Sequence, residues 1–369
     1  MKQSNPFVVY GYDGPDTFCD REAELEKLKK AVENGRNVTL LAERRIGKTG
    51  LIKHFFNSIA ADGKIKCIYV DIFATGNLSE FTTKFAEAII GSMDSQFDKA
   101  LLAATRFFKS FRPEISIDPL SGGPVFSLGI HPRTVESTLK ECFEYLKAHG
   151  EAIVAIDEFQ QIANYPEKGV EAMLRSYVQF LPDTRFVFAG SRHHMMAEMF
   201  CSAKRPFFNS TQTIPLERID AGKYFVFAKD LMATGAIDLK RGVFDFAYSL
   251  FDGVTWYMQT VLNRLYERRN ASEDAVRSVV EELIEERKWE FAALVGALPE
   301  GSARLLKAVA KEGSVREITS GDFIAAHSLR SSSSVHMSLK KLVNDEILYH
   351  THDGYIVYDR LFGFWLRRI

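Results

Sequence analysis

Four cysteines in 369 residues, Cys19, Cys67, Cys142 and Cys201, stand far apart. None belongs to a Cys-x-x-Cys pair and no His lies at zinc-ligand spacing, which argues against a disulfide framework or a structural zinc site. No apolar run approaches the roughly 18 residues of a membrane span. The start, MKQSNPFVVYGYDGPDTF, lacks a charged segment followed by a long apolar core. Neither charge is in excess. Lys and Arg number 47 against 48 Asp and Glu, a net charge of −1, which excludes a uniformly basic nucleic-acid coat and leaves room for a local patch. No Ser-His-Asp or Cys-His set stands out, and His193-His194 reads as a loop pair. These absences point to a soluble cytoplasmic protein without a membrane partner. In that setting the Asn270-Ala271-Ser272 sequon has no meaning, and Ser272 reads as a helix cap.

What the chain does have is centred on VTLLAERRIGKTGLIKHF, residues 38–55. Val38 to Leu41 read as a short buried strand, and Leu51, Ile52, Phe55 and Phe56 repeat at helical spacing. The intervening Ala42, Glu43, Arg44, Arg45, Ile46, Gly47, Lys48 and Thr49, followed by Gly50, have the spacing of a Walker A loop. Such a loop surrounds phosphate oxygens with backbone N–H groups and a helix N-terminus. Lys48 would reach the β- and γ-phosphates and Thr49 would ligate Mg²⁺. Ala42 replaces the motif's Gly, which matters only if that backbone needs φ > 0, where a Cβ costs about 1–2 kcal/mol.

Lys66 to Ile72 reads as a second strand, closing a βαβ unit that implies a parallel sheet. Two helical faces follow, one through Leu78, Phe81, Phe85 and Ile89, the other through Phe97, Leu101, Ala104 and Phe108. Residues 114–130 alternate with period two about Pro119 to Pro124, a β-hairpin inserted into the core as a packing flap or a partner contact. A helix from Arg133 to His149 ends at Gly150.

Ala152-Ile153-Val154-Ala155-Ile156-Asp157-Glu158 is an apolar strand ending in two carboxylates, and it resembles a Walker B strand. Asp157 would hold Mg²⁺ through the second shell, while Glu158 could orient the attacking water and accept its proton. Arg185 to Ala189 forms a fourth strand running into Gly190 and Ser191, and Thr211 to Leu216 a fifth. Ser191 stands where P-loop ATPases of this class place a polar sensor, and the adjacent Arg192 could share that work.

From Ile219 the pattern turns helical, over Tyr224–Met232, Val243–Leu250, Thr255–Glu267 and Ser272–Leu294, with Trp256 and Tyr257 read as core aromatics. In the tail, Ser302–Lys311 and Asp322–His327 read as helices, Ser331 to Ser334 would cap a recognition helix through Leu342, and Ile347–Val357 reads as a wing about Asp353-Gly354. Arg330, His336, Lys340 and Lys341 lie where such a helix would meet duplex DNA. Residues 298–369 carry ten Lys and Arg against eight Asp and Glu, so the excess is small.

With its lead-in Phe18-Cys19-Asp20-Arg21-Glu22-Ala23-Glu24-Leu25, the chain over 16–369 resembles the archaeal-type AAA+ ATPases on the edge of the STAND group. There a Phe-x-Gly-Arg-Glu-x-Glu-Leu box lies beside the adenine, which implicates Phe18 and Arg21; Asp20 stands in place of the Gly. The resemblance implies an α/β P-loop NTPase with a five-stranded parallel sheet in the order 5-1-4-3-2. Its parts would be an ATPase core over 1–218, a helical lid over 219–297 and a winged-helix domain over 298–369. It implies ATP and Mg²⁺ as ligands, slow hydrolysis using Lys48, Glu158 and Ser191, and an arginine finger for which Arg192, Arg205 and Arg218 are candidates. A homo-oligomer or a protein partner is compatible with the same family. The lid's Asp252-Gly253-Val254-Thr255 keeps a Gly and lacks the family's following Pro. A nucleotide-gated scaffold that does not hydrolyse, and a DNA-binding regulator in which nucleotide is secondary, are the alternative readings.

Overall fold

Every residue of β1 (Val38–Ala42) is buried. A strand loses contact with solvent along its whole length only where both faces of its sheet are covered. The computed structural model, which describes residues 5–60, 65–93, 111–117, 124–130, 132–191 and 193–369, has that arrangement. In chain order β1 is followed by β2 (Lys66–Asp71), β3 (Phe111–Ile117), β4 (Pro124–Ile130), β5 (Ala152–Asp157), β6 (Thr184–Gly190) and β7 (Gln212–Leu216). Five of these pair in parallel in the order β2-β5-β6-β1-β7. With the hairpin left out of the count, that is the expected 5-1-4-3-2. The inner strand β5 is also buried throughout, whereas the edge strands β2 and β7 alternate between covered and exposed positions. Pro215 sits opposite Leu41 in β7, where an edge strand tolerates the lost N–H.

The helices α1 (Glu22–Glu33), α2 (Lys48–Ala60), α3 (Leu78–Met93), α4 (Val135–Ala148), α5 (Val170–Gln179) and α6 (His193–Cys201) accompany this sheet. His193 and His194 thus open a helix rather than sit in a loop. The core beside β5 and β6 is aromatic: Phe159 packs on Phe188 at 4.6 Å and edge-on against Phe207 at 5.3 Å. Between α3 and α4 the expected hairpin is present, pairing antiparallel from Phe111 opposite Ile130 to Ile117 opposite Pro124. It begins three residues earlier than its alternation suggested. The helix expected over Phe97 to Phe108 lies outside the described residues.

Two compact units divide the chain, residues 1–227 with 253–259, and residues 228–252 with 260–369. The helical region comprises α7 (Ala221–Ala233), α8 (Arg241–Leu250), α9 (Thr255–Arg268) and α10 (Glu273–Gly296). Ser272 caps α10, accepting a hydrogen bond from the Ala275 N–H at 3.2 Å. The tail adds α11 (Glu300–Glu312), α12 (Gly321–Ala326), α13 (Ser332–Asn344), β8 (Leu348–Thr351), β9 (Gly354–Val357) and α14 (Arg360–Leu366). Ser331 caps α13, and Gly354 turns the wing with φ +123°, its Cα so near Val315 that a Cβ would stand 2.5 Å from backbone. Helix α14 was not anticipated; Asp359 caps it through the Leu361 and Phe362 N–H groups, and Phe362 stacks on Phe291 of α10 at 5.1 Å. Among the described residues no helix is long and apolar enough to cross a membrane.

The carboxyl ends of β1, β6 and β5 lie side by side, which places residues 42–49, Ser191, Asp157 and Glu158 at one edge of the sheet. Gly190 makes this convergence fit. A Cβ there would stand 2.1 Å from Gln160 Oε1 and 2.7 Å from Met196 Cγ, and both neighbours are buried. Gly190→Ala is therefore expected to destabilise the protein by about 1–3 kcal/mol, the usual cost of overpacking. Denaturant unfolding checks it, and an unchanged midpoint would show that the site accommodates the methyl group.

Candidate active site

Residues 43–47 connect β1 to α2 with two left-handed positions, Arg45 at φ +67° and Gly47 at φ +93°. Ala42 ends the strand without a positive φ, so the missing Gly there carries no backbone cost. Lys48 opens α2, and the Leu51 N–H donates to Gly47 O at 2.9 Å. The loop is strapped at three points. Arg21, 3% exposed, donates to Ile46 O at 3.1 Å and pairs with Glu24. Glu43 pairs with Arg218 at 2.9 Å. Arg45 donates to Tyr257 OH at 2.9 Å, lies over the Trp256 ring at 4.7 Å, and accepts the Trp256 N–H on its carbonyl at 2.9 Å. Tyr257 is core as expected, but Trp256 is a half-buried partner of the loop.

At the centre the Lys48 ammonium sits 2.7 Å from Asp157 Oδ1 and 2.8 Å from Glu158 Oε1, with all three groups largely out of solvent. Thr49 Oγ1 donates to Asp157 Oδ2 at 2.7 Å and Tyr69 OH donates to the same oxygen at 2.9 Å. Glu158 Oε2 accepts from Gln160 Nε2 at 2.6 Å, Ser191 Oγ at 2.7 Å and the Ser191 N–H at 3.4 Å. Arg44 Nε donates to Ser191 Oγ at 3.3 Å. Glu158 itself is held left-handed, φ +59°, an uncommon conformation for a side chain of this size and one that turns it back over the sheet edge. Burial raises its carboxyl pKa, but the Lys48 charge and the hydrogen bonds from Lys48, Gln160 and Ser191 outweigh burial and bring it down to about 2. Burial, then the Asp157 carboxylate, push the Tyr69 phenol upward, so it remains a donor.

A cavity of about 410 Å³ opens above this centre, within the range of small-molecule sites. Glu43, Arg44, Arg45, Ile46, Gly47, Lys48, Thr49, Gly50, Phe18, Arg21, Glu158 and Ser191 all line it, while Ala42 and Asp157 do not. Phe18 stacks on His54 at 4.4 Å and stands 3.1 Å from where a Gly50 Cβ would be. Asp20 takes the left-handed conformation of the Gly it replaces, φ +56°, and pairs with Lys223. Arg192 lies outside the described residues. Arg205 pairs with Glu171 and Glu198 and does not line the cavity. Gln160, Tyr69 and the cavity-lining arm at Val8 to Asp13 were not anticipated. Gln160, two residues after Glu158, has only its nearness in sequence to betray it. For Tyr69, alternation along β2 gave no direction toward a strand not yet placed beside it. The residues present fit a nucleotide with Mg²⁺: a cationic loop, an apolar chamber, and a hydroxyl beside a carboxylate, the oxygen donors that a hard cation takes.

In the second unit His336, Lys340 and Lys341 are exposed on α13, opposite the buried Val335, Leu339 and Leu342. Lys341 pairs with Asp345 at 2.9 Å and Arg330 approaches Glu300 at 3.8 Å.

Sheet order and loop together define a P-loop NTPase. Residues 18–261 match the family described as "ATPase domain predominantly from Archaea", about two thirds of the chain, and the protein belongs to that family. Residues 289–368 match the family described as "Probable winged helix domain". In fold the chain is similar to a Walker-type ATPase of Pyrococcus abyssi (TM-score 0.69, 20% identity, 99% of this chain and 100% of that one). It is also similar to the ORC2 protein of Aeropyrum pernix, solved as ADPNP and ADP complexes (TM-score 0.60, 15% identity, 100% and 96%). Comparison with curated proteins by sequence gives no match.

Removing the central cation leaves two buried carboxylates side by side. Lys48→Met should cost about 3–5 kcal/mol of stability in nucleotide-free protein. The double variant Lys48→Met/Glu158→Gln should lose distinctly less than Lys48→Met alone. Equal losses in denaturant unfolding would mean that the charges do not interact.

Proposed function

We propose that this protein binds ATP with Mg²⁺ in the cavity above residues 42–50 and hydrolyses it slowly. The observation that carries this reading is the Lys48–Asp157–Glu158 cluster with Thr49 and Ser191 at its rim. Thr49 and Asp157 would hold the metal, which when bound neutralises charge on the transferring phosphoryl group. Lys48 would neutralise phosphate charge, Phe18 and Arg21 would flank the nucleoside side, and Ser191 would hold Glu158 in position and report on its release.

Glu158 is fully engaged in this state. A carboxylate with a pKa of about 2, its oxygens taken by Lys48, Gln160 and Ser191, is a poor acceptor for the proton of an attacking water. Phosphates would compete for Lys48, and its departure would make Glu158 more basic and free one oxygen. Base strength is thereby tied to occupancy of the cavity, which suits a switch with a low idle rate. The same saturation of Glu158 favours the second reading, a nucleotide-gated scaffold that retains nucleotide without turnover. For the finger, Arg218 is the candidate already beside the loop at Glu43, with Arg192 and Arg205 as the others. A finger in trans would require a homo-oligomer or a protein partner.

The division into core (1–218), lid (219–297) and winged helix (298–369) belongs to this proposal. So does contact with duplex DNA by Arg330, His336, Lys340 and Lys341, which the exposed face of α13 supports. A DNA-binding regulator with secondary nucleotide binding would keep that face and dispense with turnover.

ATP binding and phosphate release by wild type, Lys48→Ala and Glu158→Gln distinguish these readings. Turnover in wild type, loss of binding in Lys48→Ala, and binding without turnover in Glu158→Gln are expected. Wild type that binds no nucleotide contradicts the proposal, and tight retention without phosphate release selects the scaffold. For DNA, Lys340→Ala/Lys341→Ala should weaken a salt-dependent affinity and reduce the slope of log K against log salt by about two. An unchanged slope would remove α13 from the interface.

A further inference from the structure

Away from the phosphate loop, apolar groups such as Val8, Phe18, Ile219 and Trp256 contribute to the cavity wall. Two polar side chains of α9, Thr255 and Gln259, also line it. They are four residues apart and share one face over the first turns of the helix. Gln259 is only 8% exposed, and its Oε1 has no hydrogen-bond partner among the described residues. Thr255 Oγ1, buried on the same face, also has none. A buried carbonyl left unpaired destabilises the fold, and a Leu of similar size would avoid the penalty. Gln259 lines a ligand cavity while its own carbonyl oxygen is buried and unpaired in the ligand-free fold, and a turn of the amide toward the cavity would let a ligand supply the missing donor.

We propose that Gln259 is a specificity residue of the nucleotide cavity, reading the adenine base with its side-chain amide. The inference rests on the nucleotide reading given above. An amide presents an acceptor beside a donor, and the adenine edge presents the N6 amine beside a ring-nitrogen acceptor, so the two are complementary. Oε1 accepts from the exocyclic amine and Nε2 donates to the ring nitrogen. Thr255 adds a hydroxyl one helical turn away.

The test is equilibrium binding of ADP and of purine riboside diphosphate, which lacks the 6-amino group, to wild type and Gln259→Leu in Mg²⁺ by calorimetry. Wild type is expected to prefer ADP by about tenfold, the worth of one such hydrogen bond. Gln259→Leu should bind ADP about tenfold more weakly and bind the two ligands alike. In the absence of ligand it should be at least as stable as wild type, because an unpaired carbonyl has been removed. Wild type that does not distinguish the ligands, or discrimination that survives in Gln259→Leu, overturns the inference while leaving nucleotide binding intact. A ligand-free Gln259→Leu that is destabilised with discrimination unchanged assigns Gln259 a structural role and equally overturns it. Failure of wild type to bind either ligand instead removes the nucleotide reading beneath it. The wild-type comparison stands even if the variant does not fold.

Discussion

One ammonium group between two carboxylates organises the candidate site. Lys48 is buried, as are Asp157 and most of Glu158, so each charge depends on the others to offset its lost hydration. The fold is arranged to make that juxtaposition unavoidable. Strand β6 lies between β1 and β5, so the Lys48 side chain reaches across its end, where Gly190 leaves room for Gln160. Gln160 and Ser191 satisfy the remaining Glu158 oxygen, and Thr49 and Tyr69 satisfy Asp157. Without these donors the cluster would carry unpaired buried lone pairs, a costly state at low dielectric.

The straps on the loop extend the same constraint outward. Arg21 ties α1 to Ile46, and Arg45 ties the loop to the start of α9 through Trp256 and Tyr257. Any movement of the loop would be felt at both contacts, because Arg45 occupies the small left-handed region of backbone space. The loop is thus a joint between the sheet and the helix that carries Gln259.

Much of this was legible in the primary structure because the informative residues are contiguous. An apolar strand followed at once by Gly47-Lys48-Thr49, and another ending in Asp157-Glu158, state both the element and the chemistry within a few residues. The inner strands β1 and β5 read as short runs of apolar or β-branched residues because both their faces are covered. Tyr69 was not legible: it acts on Asp157, far away in sequence, and its residue type does not signal that role without the sheet order. Trp256 had the composition of core and is instead a cation–π partner of Arg45. Helix α14 is seven residues long, too short for periodicity to mark it, although Asp359 ahead of Leu361 and Phe362 is a cap signal. Asp20 shows the opposite case, a side chain accepted at a glycine-like φ of +56° where its carboxylate gains the Lys223 partner.

In the proposed nucleotide complex, phosphate and Glu158 would compete for the same ammonium, and weakening one competitor would help the other. The direct measurement is the dissociation constant of ADPNP with Mg²⁺ for wild type and Glu158→Gln, with both variants shown to be folded. Tighter binding by Glu158→Gln is expected, because Lys48 would then be released more readily to the nucleotide. Equal or weaker binding would show that Lys48 does not leave Glu158 when nucleotide enters, and the coupling between occupancy and catalysis would have to lie elsewhere.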